Sequence, residues 1–294
     1  MKTILITGTS SGFGFDAAKY LAEKGHHVIA SMRNVATSNA EAANDLTNYG
    51  KENGLQLDVV EIDVTSDESV NKAAANLPLV DVLINNAGKG YGGPVEAFSA
   101  EQFLAQLDLN IVGTHRVSRA VLPGMREKGS GLIIQVSSIA GRMAFPGFGV
   151  YHASKWGLEG LSEAMRYEMA PLGIDVVMVE PGPFSTSFFG GMTLAEDESV
   201  ASAYEHVNAF SEGFGNNVLQ LFESEDAPTD PMIIVKIFEK LINTPNGERP
   251  LRTIGGLDFG AQHLNDTVEP IRKAALESME LSGVDGPQAA TTSN

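Results

Sequence analysis

The chain has 294 residues, no cysteine, and 37 acidic against 20 basic side chains, for a formal charge of −17. The lack of thiols excludes disulfides, thiolate metal sites and cysteine nucleophiles, and the acidic excess argues against nucleic acid or anionic membrane as partners. The length allows one sizeable α/β core, and the N-terminal run breaks into Gly and Ser too early for a signal peptide or a spanning helix, so a soluble, cytoplasmic protein is expected.

In chain order, apolar runs predict strands at 3–7, 27–31, 56–62, 80–85, 132–137 and 174–180, and helical stretches at 15–24, 67–77, 100–126 and 151–170. Strands rich in Val, Ile and Leu, separated by helices, read as a parallel sheet covered on both faces. Right-handed crossovers then give a doubly wound, Rossmann-type sheet in a three-layer α/β/α sandwich. No repeat or linker divides it, so residues 1–281 are expected to form a single domain. After Pro181 the texture changes: residues 184–226 are rich in Phe, Gly, Ser and Glu without a clean period. Beyond Pro228 and Pro231 a helix at 232–243, a strand at 251–254 and a helix at 267–281 are expected. The small, polar residues 282–294 are expected to form a flexible tail.

The first strand runs into Gly8-Thr9-Ser10-Ser11-Gly12-Phe13-Gly14 and then a helix. Glycines at such a turn let the backbone bend tightly and approach a pyrophosphate, while the helix N-terminus offers free N–H groups and a positive dipole end. Glycines also occur at strand–helix junctions for steric reasons alone. Gly8-x-Ser10-x-Gly12 fits the hydrolase nucleophile elbow too, but only one strand precedes it and nothing orients His206 or His263 as a base. The second strand ends at Met32-Arg33. A basic residue there suits a 2′-phosphate, where an acidic one would hold a ribose 2′-hydroxyl. Against the alternative of a solvated surface Arg, NADP(H) is the expected cofactor, with NAD(H) as the alternative.

Tyr151 and Lys155 lie four apart at the start of a helical run, so their side chains share a face. A free phenol titrates near pH ~10, and a neighbouring cation favours the phenolate. Such pairs are common and usually structural, but this one follows a buried strand that ends in Ser137-Ser138.

In this order the motifs resemble those of the short-chain dehydrogenase/reductase family, over Lys2 to about Thr186. The match comprises the loop Thr7–Gly14 with Ser10, Ser11 and Phe13 inside it; Asp63-Val64; Asn85-Asn86-Ala87-Gly88; Asn110; Ser138; Tyr151 with Lys155; and Pro181-Gly182 with Phe184 and Thr186 following. The resemblance implies that Tyr151 exchanges a proton with the substrate oxygen and that Ser138 hydrogen-bonds the same oxygen. Lys155 would lower the Tyr151 pKa and hold the nicotinamide ribose, and Asn110 would anchor a relay water. The loop residues Gly8, Ser10, Ser11, Gly12, Phe13 and Gly14 would hold cofactor, as would Arg33, Asp63, Val64, Asn86, Ala87, Gly88, Pro181, Gly182, Phe184 and Thr186. Three departures stand out: Ser11 where some NADP-using members carry Lys or Arg, Phe13 in place of the usual Ile, and Glu180 before the Pro-Gly pair.

The family's substrate cover falls on residues 184–230, here with Phe184, Phe188, Phe189, Phe210, Phe214 and Phe222. Together with the loop carrying Met143, Phe145 and Phe148, a Phe-rich cover points to an apolar, fairly bulky carbonyl or alcohol substrate, although the rings would also serve simple packing. Met143, Phe145, Phe148, Phe188 and Phe189 are the substrate-contact candidates. The long C-terminal part resembles the 17β-hydroxysteroid and retinol dehydrogenase branch. That likeness also implies a homodimer or homotetramer formed through the 100–126 and 151–170 helices. The histidines show no metal-binding spacing, so no metal is expected. A protein of this fold that only senses nucleotide is the alternative to an enzyme.

Overall fold

The computed structural model describes residues 1–224 and 226–288. Strands β1 (Thr3–Thr7), β2 (His27–Met32), β3 (Leu57–Glu61) and β4 (Val82–Asn85) are followed by a two-residue β5 (Tyr91–Gly92), then β6 (Gly131–Val136), β7 (Ile174–Pro181), a two-residue β8 (Thr193–Leu194) and β9 (Arg252–Gly255). The seven longer strands form one sheet in the order β3-β2-β1-β4-β6-β7-β9, and every pairing in it is parallel. The order reverses between β1 and β4, where a doubly wound sheet opens a crevice at its carboxyl ends.

Alternation within each strand explains the continuous apolar runs. Ile4 and Ile6 of β1 join one core with Leu21, Val28, Val177, Val179 and Phe238, while Leu5 between them joins the opposite core with Ile29, Leu83, Ile133 and Val176. With both faces covered, most strand positions are apolar, and the expected strands lie within one or two residues of the observed ones.

The helices are α1 (Gly12–Glu23), α2 (Ala40–Glu52), α3 (Asp67–Ala74), α4 (Ala100–Leu107), α5 (Gly113–Lys128), α6 (Gly149–Met169), α7 (Glu198–Ser202), α8 (Glu205–Glu223), α9 (Met232–Asn243) and α10 (Ala261–Ser278). Several differ from expectation. The single helix expected at 100–126 is interrupted by a π-helical turn, Asp108–Val112, which carries Asn110; such turns re-aim a side chain within a helix. Residues 184–226, which show no period, contain the 19-residue α8. Its buried positions include Val207 and Val218, and Gly213 and Gly215 sit mid-helix, so neither a stripe nor propensity announces it. α10 starts earlier than expected because Asp258 accepts from the Gly260 and Gln262 amides at 3.2 and 3.1 Å.

The expected loose tail is fastened at its start. Ser282–Val284 make a helical turn, and Asp285 accepts from Arg272 at 2.7 Å and from Arg166 at 3.3 Å. Arg166 and Arg249 in turn share the buried Asp175, at 2.8 and 3.0 Å. Residues 289–294 lie outside the described residues. Among the described residues no helix is long and apolar enough to cross a membrane.

Candidate active site

A cleft of about 370 Å³ runs along the carboxyl ends of β1, β4, β6 and β7. Its floor is the turn after β1. Gly8 and Gly12 adopt φ of +70° and +58°, backbone that L side chains rarely take. A Cβ on Gly8 would also lie 2.7 Å from the Ala87 Cα. Asn86 ties the turn to β4: its Nδ2 donates to the carbonyls of Thr7 and Gly8 at 2.9 and 3.0 Å, while Thr7 Oγ1 accepts from the amides of Asn86 and Ala87, both at 3.0 Å.

α1 begins at Gly12, and its N-cap Ser11 makes no capping bond with its side chain; the first turn holds no acidic residue. The helix thus presents uncapped N–H groups and its positive end to the cleft. This narrow cradle of backbone donors fits a pyrophosphate. Gly14, expected to touch cofactor, does not line the cleft. Its Cβ would meet Asn86 Nδ2 at 2.5 Å and the Gly8 carbonyl at 2.6 Å, so this glycine lets the helix pack against the turn. Phe13 packs edge-on against Phe184, with centroids 5.2 Å apart.

Arg33 and Asp63 line the cleft beyond the ends of β2 and β3. The Arg33 side chain makes no ion pair or hydrogen bond with the described residues, and its carbonyl accepts from Asn39 Nδ2 at 2.6 Å. Asn39, which sequence reasoning missed, lines the cleft beside it. Asp63 Oδ1 accepts from the Thr65 amide and hydroxyl at 3.0 and 2.7 Å, which fixes the carboxylate. Val64 lies under Gly113, whose Cβ would stand 2.9 Å from it.

At the other end Ser138 caps a short turn: its Oγ accepts from the Ala140 amide at 3.1 Å and donates to the Pro181 carbonyl at a long 3.3 Å. Tyr151 and Lys155 reach the cleft from the first turns of α6. Burial pushes the Tyr151 phenol up to about 12, and the Ser138 hydroxyl opposes that shift. Burial likewise brings Lys155 down to about 8 against the Glu159 charge one turn along. The Lys155 Nζ lies 5.8 Å from the Tyr151 ring centre and donates to the Val136 carbonyl at 2.9 Å.

Asn110 is buried and does not itself line the cleft. Its Nδ2 donates to the Lys89 carbonyl and Ser154 Oγ at 3.1 and 2.9 Å, and its Oδ1 accepts from the Lys89 amide at 3.2 Å. Asn110 Oδ1 and Lys155 Nζ close on the same point, 3.2 and 3.8 Å from a Cβ built on Gly88.

The remaining nucleotide candidates, Ser10, Ala87, Pro181, Gly182 and Thr186, line the cleft as expected. On the substrate side Phe145, Phe148, Phe188 and Phe189 do so, with Phe188 5.4 Å from the Tyr151 ring. Met143, expected among them, does not line it. Phe214 of α8, Phe259 and His152 join the wall instead. Phe214 stacks 6.3 Å from Phe145 and lies 5.8 Å from Phe148 and 6.4 Å from Phe259. The Phe-rich texture of the segment was the available signal for Phe214; Phe259 carried none. Neither His206 nor His263 lines the cleft beside Ser10, which removes the hydrolase alternative. Among the described residues no cluster of His, Asp or Glu is placed to hold a metal.

The chain matches the family model described as short chain dehydrogenase over residues 2–197. Retinol dehydrogenase 8 of Homo sapiens is 39% identical over 194 residues, spanning 64% of this chain and 61% of that protein. The crystal structure of a short-chain dehydrogenase from Streptomyces avermitilis agrees with a TM-score of 0.74 at 32% identity, over 95% of this chain and 97% of that one. A closed form of serine dehydrogenase complexed with NADP+ agrees with a TM-score of 0.71 at 25% identity, over 87% of this chain and 94% of that one. With the glycine turn, the Asn-Asn-Ala-Gly segment and the Ser–Tyr–Lys group assembled around one cleft, the chain belongs to the short-chain dehydrogenase family and is an oxidoreductase.

Proposed function

We propose that the chain interconverts a carbonyl and an alcohol on an apolar, fairly bulky substrate, with NADP(H) preferred over NAD(H). The observation that carries this reading is the single cleft that has Arg33 at one end and Tyr151 within an aromatic wall at the other. The Arg33 side chain, which lines the cleft with Asn39 and has no partner among the described residues, is free to pair with a 2′-phosphate. The NADP+ bound by the related serine dehydrogenase supports the same choice. Tyr151, Ser138 and Lys155 converge at the other end, and a binding-only role leaves that convergence without a use.

The bound nicotinamide supplies or accepts the hydride; the chain supplies the rest. Ser138 Oγ gives up its long bond to Pro181 and donates to the substrate oxygen, holding charge as it builds. Tyr151, protonated at neutral pH, donates its proton to that oxygen in reduction and takes it back in oxidation. Lys155 sets the field at the phenol and stands ready to hold a ribose hydroxyl. Asn110 fixes the backbone at Lys89 and anchors a relay water near Lys155. Phe145, Phe148, Phe188 and Phe189 exclude water and orient an apolar substrate. Residues 1–281 work as one catalytic domain, with 184–230 as the cover over the substrate. The chain pairs as a dimer or tetramer through α4–α5 and α6, where Leu104, Val112 and Trp156 are exposed.

Calorimetric titration with NADPH and with NADH, followed by a turnover screen of neutral aromatic ketones, tests the proposal. Tight NADPH binding, weaker NADH binding and ketone reduction are expected. Failure of both nucleotides to bind would overturn it, and comparable affinities would withdraw the NADP preference.

A further inference from the structure

His152 follows Tyr151 directly, is buried, and lies in the substrate wall, yet the chemistry above gives it no task. Its ring is threaded through the loop between Ser138 and α6. Nδ1 lies 2.8 Å from the Ala140 carbonyl, and Nε2 lies 2.9 Å from the Phe145 amide. Its own amide donates to the Phe148 carbonyl at 2.8 Å. The Phe145 amide can only donate, so Nε2 must accept, and the ring proton sits on Nδ1, donating to Ala140. Burial, which holds this imidazole below its usual range, agrees with that neutral form. With both nitrogens bonded to backbone, His152 has nothing left to exchange with Tyr151.

The rings that these bonds hold in place form the substrate wall. Phe145 and Phe148 stand edge-on to the imidazole at 5.7 and 6.3 Å, and both face Phe214 of α8. The same loop is held elsewhere as well. Arg142 Nε donates to Asn265 Oδ1 of α10 at 2.7 Å, and the Gly93 amide donates to the Gly147 carbonyl at 2.8 Å. Between those two anchors, among the described residues, His152 is the residue of α6 that bonds the loop, at the Phe145 amide.

We infer that His152 is a positioning residue: its neutral imidazole fixes Phe145 and Phe148 as a rigid wall beside Tyr151, which makes the site select flat, apolar carbonyl compounds over small ones. The selectivity half of this rests on the catalytic reading above; the clamp itself does not. A rigid pair of rings accepts a planar substrate without ordering the loop first, an advantage that a small substrate contacting neither ring does not share.

Two measurements on the full chain test it. Hydrogen exchange at the Phe145 amide should be about tenfold faster in His152→Phe, which keeps a ring but loses the acceptor, and partly restored in His152→Gln. In the NADPH-loaded protein, His152→Phe should raise the KM for 2-acetylnaphthalene about tenfold more than that for butane-2,3-dione, with His152→Gln in between. If the wild type turns over neither ketone, the catalytic reading fails, and the calorimetric affinities of the same two ketones take the place of KM. Unchanged exchange at Phe145, two ketones shifting together, or a wild type that binds 2-acetylnaphthalene no better than the dione would each overturn the inference. Should His152→Phe not fold, the Gln variant alone decides through the same exchange rate and ketone ratio.

Discussion

Lys155 directs its ammonium at the carbonyl of Val136, 2.9 Å away, rather than at the phenol of Tyr151 one helical turn back. The two groups share a face of α6, yet burial dominates both: the phenol is pushed up to about 12 and the ammonium down to about 8. The resting site is therefore poised to give a proton.

That poise has a pH signature. Carbonyl reduction needs the protonated phenol and should be nearly flat between about pH 6 and 8. Alcohol oxidation needs the phenolate, so it should climb with pH, then flatten above about 8 as Lys155 loses the charge that favours the phenolate. Initial rates in both directions across this range check the asymmetry. Tyr151→Phe should lower both by about 10²–10⁴-fold while leaving the NADPH affinity within about a factor of two.

Arg33→Ala removes the basic group at the 2′-phosphate end. NADPH affinity should fall by about tenfold or more, with NADH affinity unchanged, as read by calorimetry. Equal losses for both nucleotides would assign Arg33 to the adenine instead.

Gly14→Ala should weaken both nucleotides and lower the thermal midpoint together, although Gly14 does not line the cleft. The added Cβ would stand 2.5 Å from the amide of Asn86, the residue that ties the turn to β4. Overpacking of this kind costs about 1–3 kcal/mol.

Glu180, directly before Pro181, is buried beside Glu159, Arg252 and Arg142, and burial pushes its carboxyl up to about 8. Among the described residues Glu180 Oε1 has no hydrogen-bond partner. The unfolded side chain titrates near ~4.3. The folded state therefore holds a proton that the unfolded state gives up between these values, and the stability it contributes is full at low pH and lost as pH rises through about 8. Glu180→Gln should leave the thermal midpoint nearly unchanged near pH ~4 and raise it at pH ~8, where the variant is more stable by on the order of 1–3 kcal/mol. A scan of unfolding midpoints against pH checks the sign.

The parts of this molecule that were legible beforehand are those where one physical demand dictates residue type. Burial on both faces of the sheet writes strands such as Ile174–Pro181 as mostly apolar runs, in which Asp175 and Glu180 are paired with arginines. Left-handed backbone at Gly8 and Gly12 does the same for the turn, and the i, i+4 spacing for Tyr151 and Lys155. Where several demands overlap, the sequence is silent. The π-helical turn at Asn110 leaves the helical period nearly intact and shows only in coordinates. α8 buries little of its surface, so no stripe marks it. His152 has a role set entirely by two backbone groups, at Ala140 and Phe145, and backbone partners leave no trace in residue identity. Asp285 was assigned to a loose tail because its partners, Arg166 and Arg272, lie more than a hundred residues and thirteen residues away.

The β5–β8 pair ties residues 193–195 to the body of the molecule through main-chain bonds: the Thr193 amide to the Gly90 carbonyl at 3.0 Å, and the Ala195 amide to the Gly92 carbonyl at 3.2 Å. Main-chain bonds of this kind do not depend on the identity of the side chains they carry. Exchange of Phe189 therefore leaves these two bonds in place, so that the wall of the cleft can change in shape while residues 193–195 stay fastened.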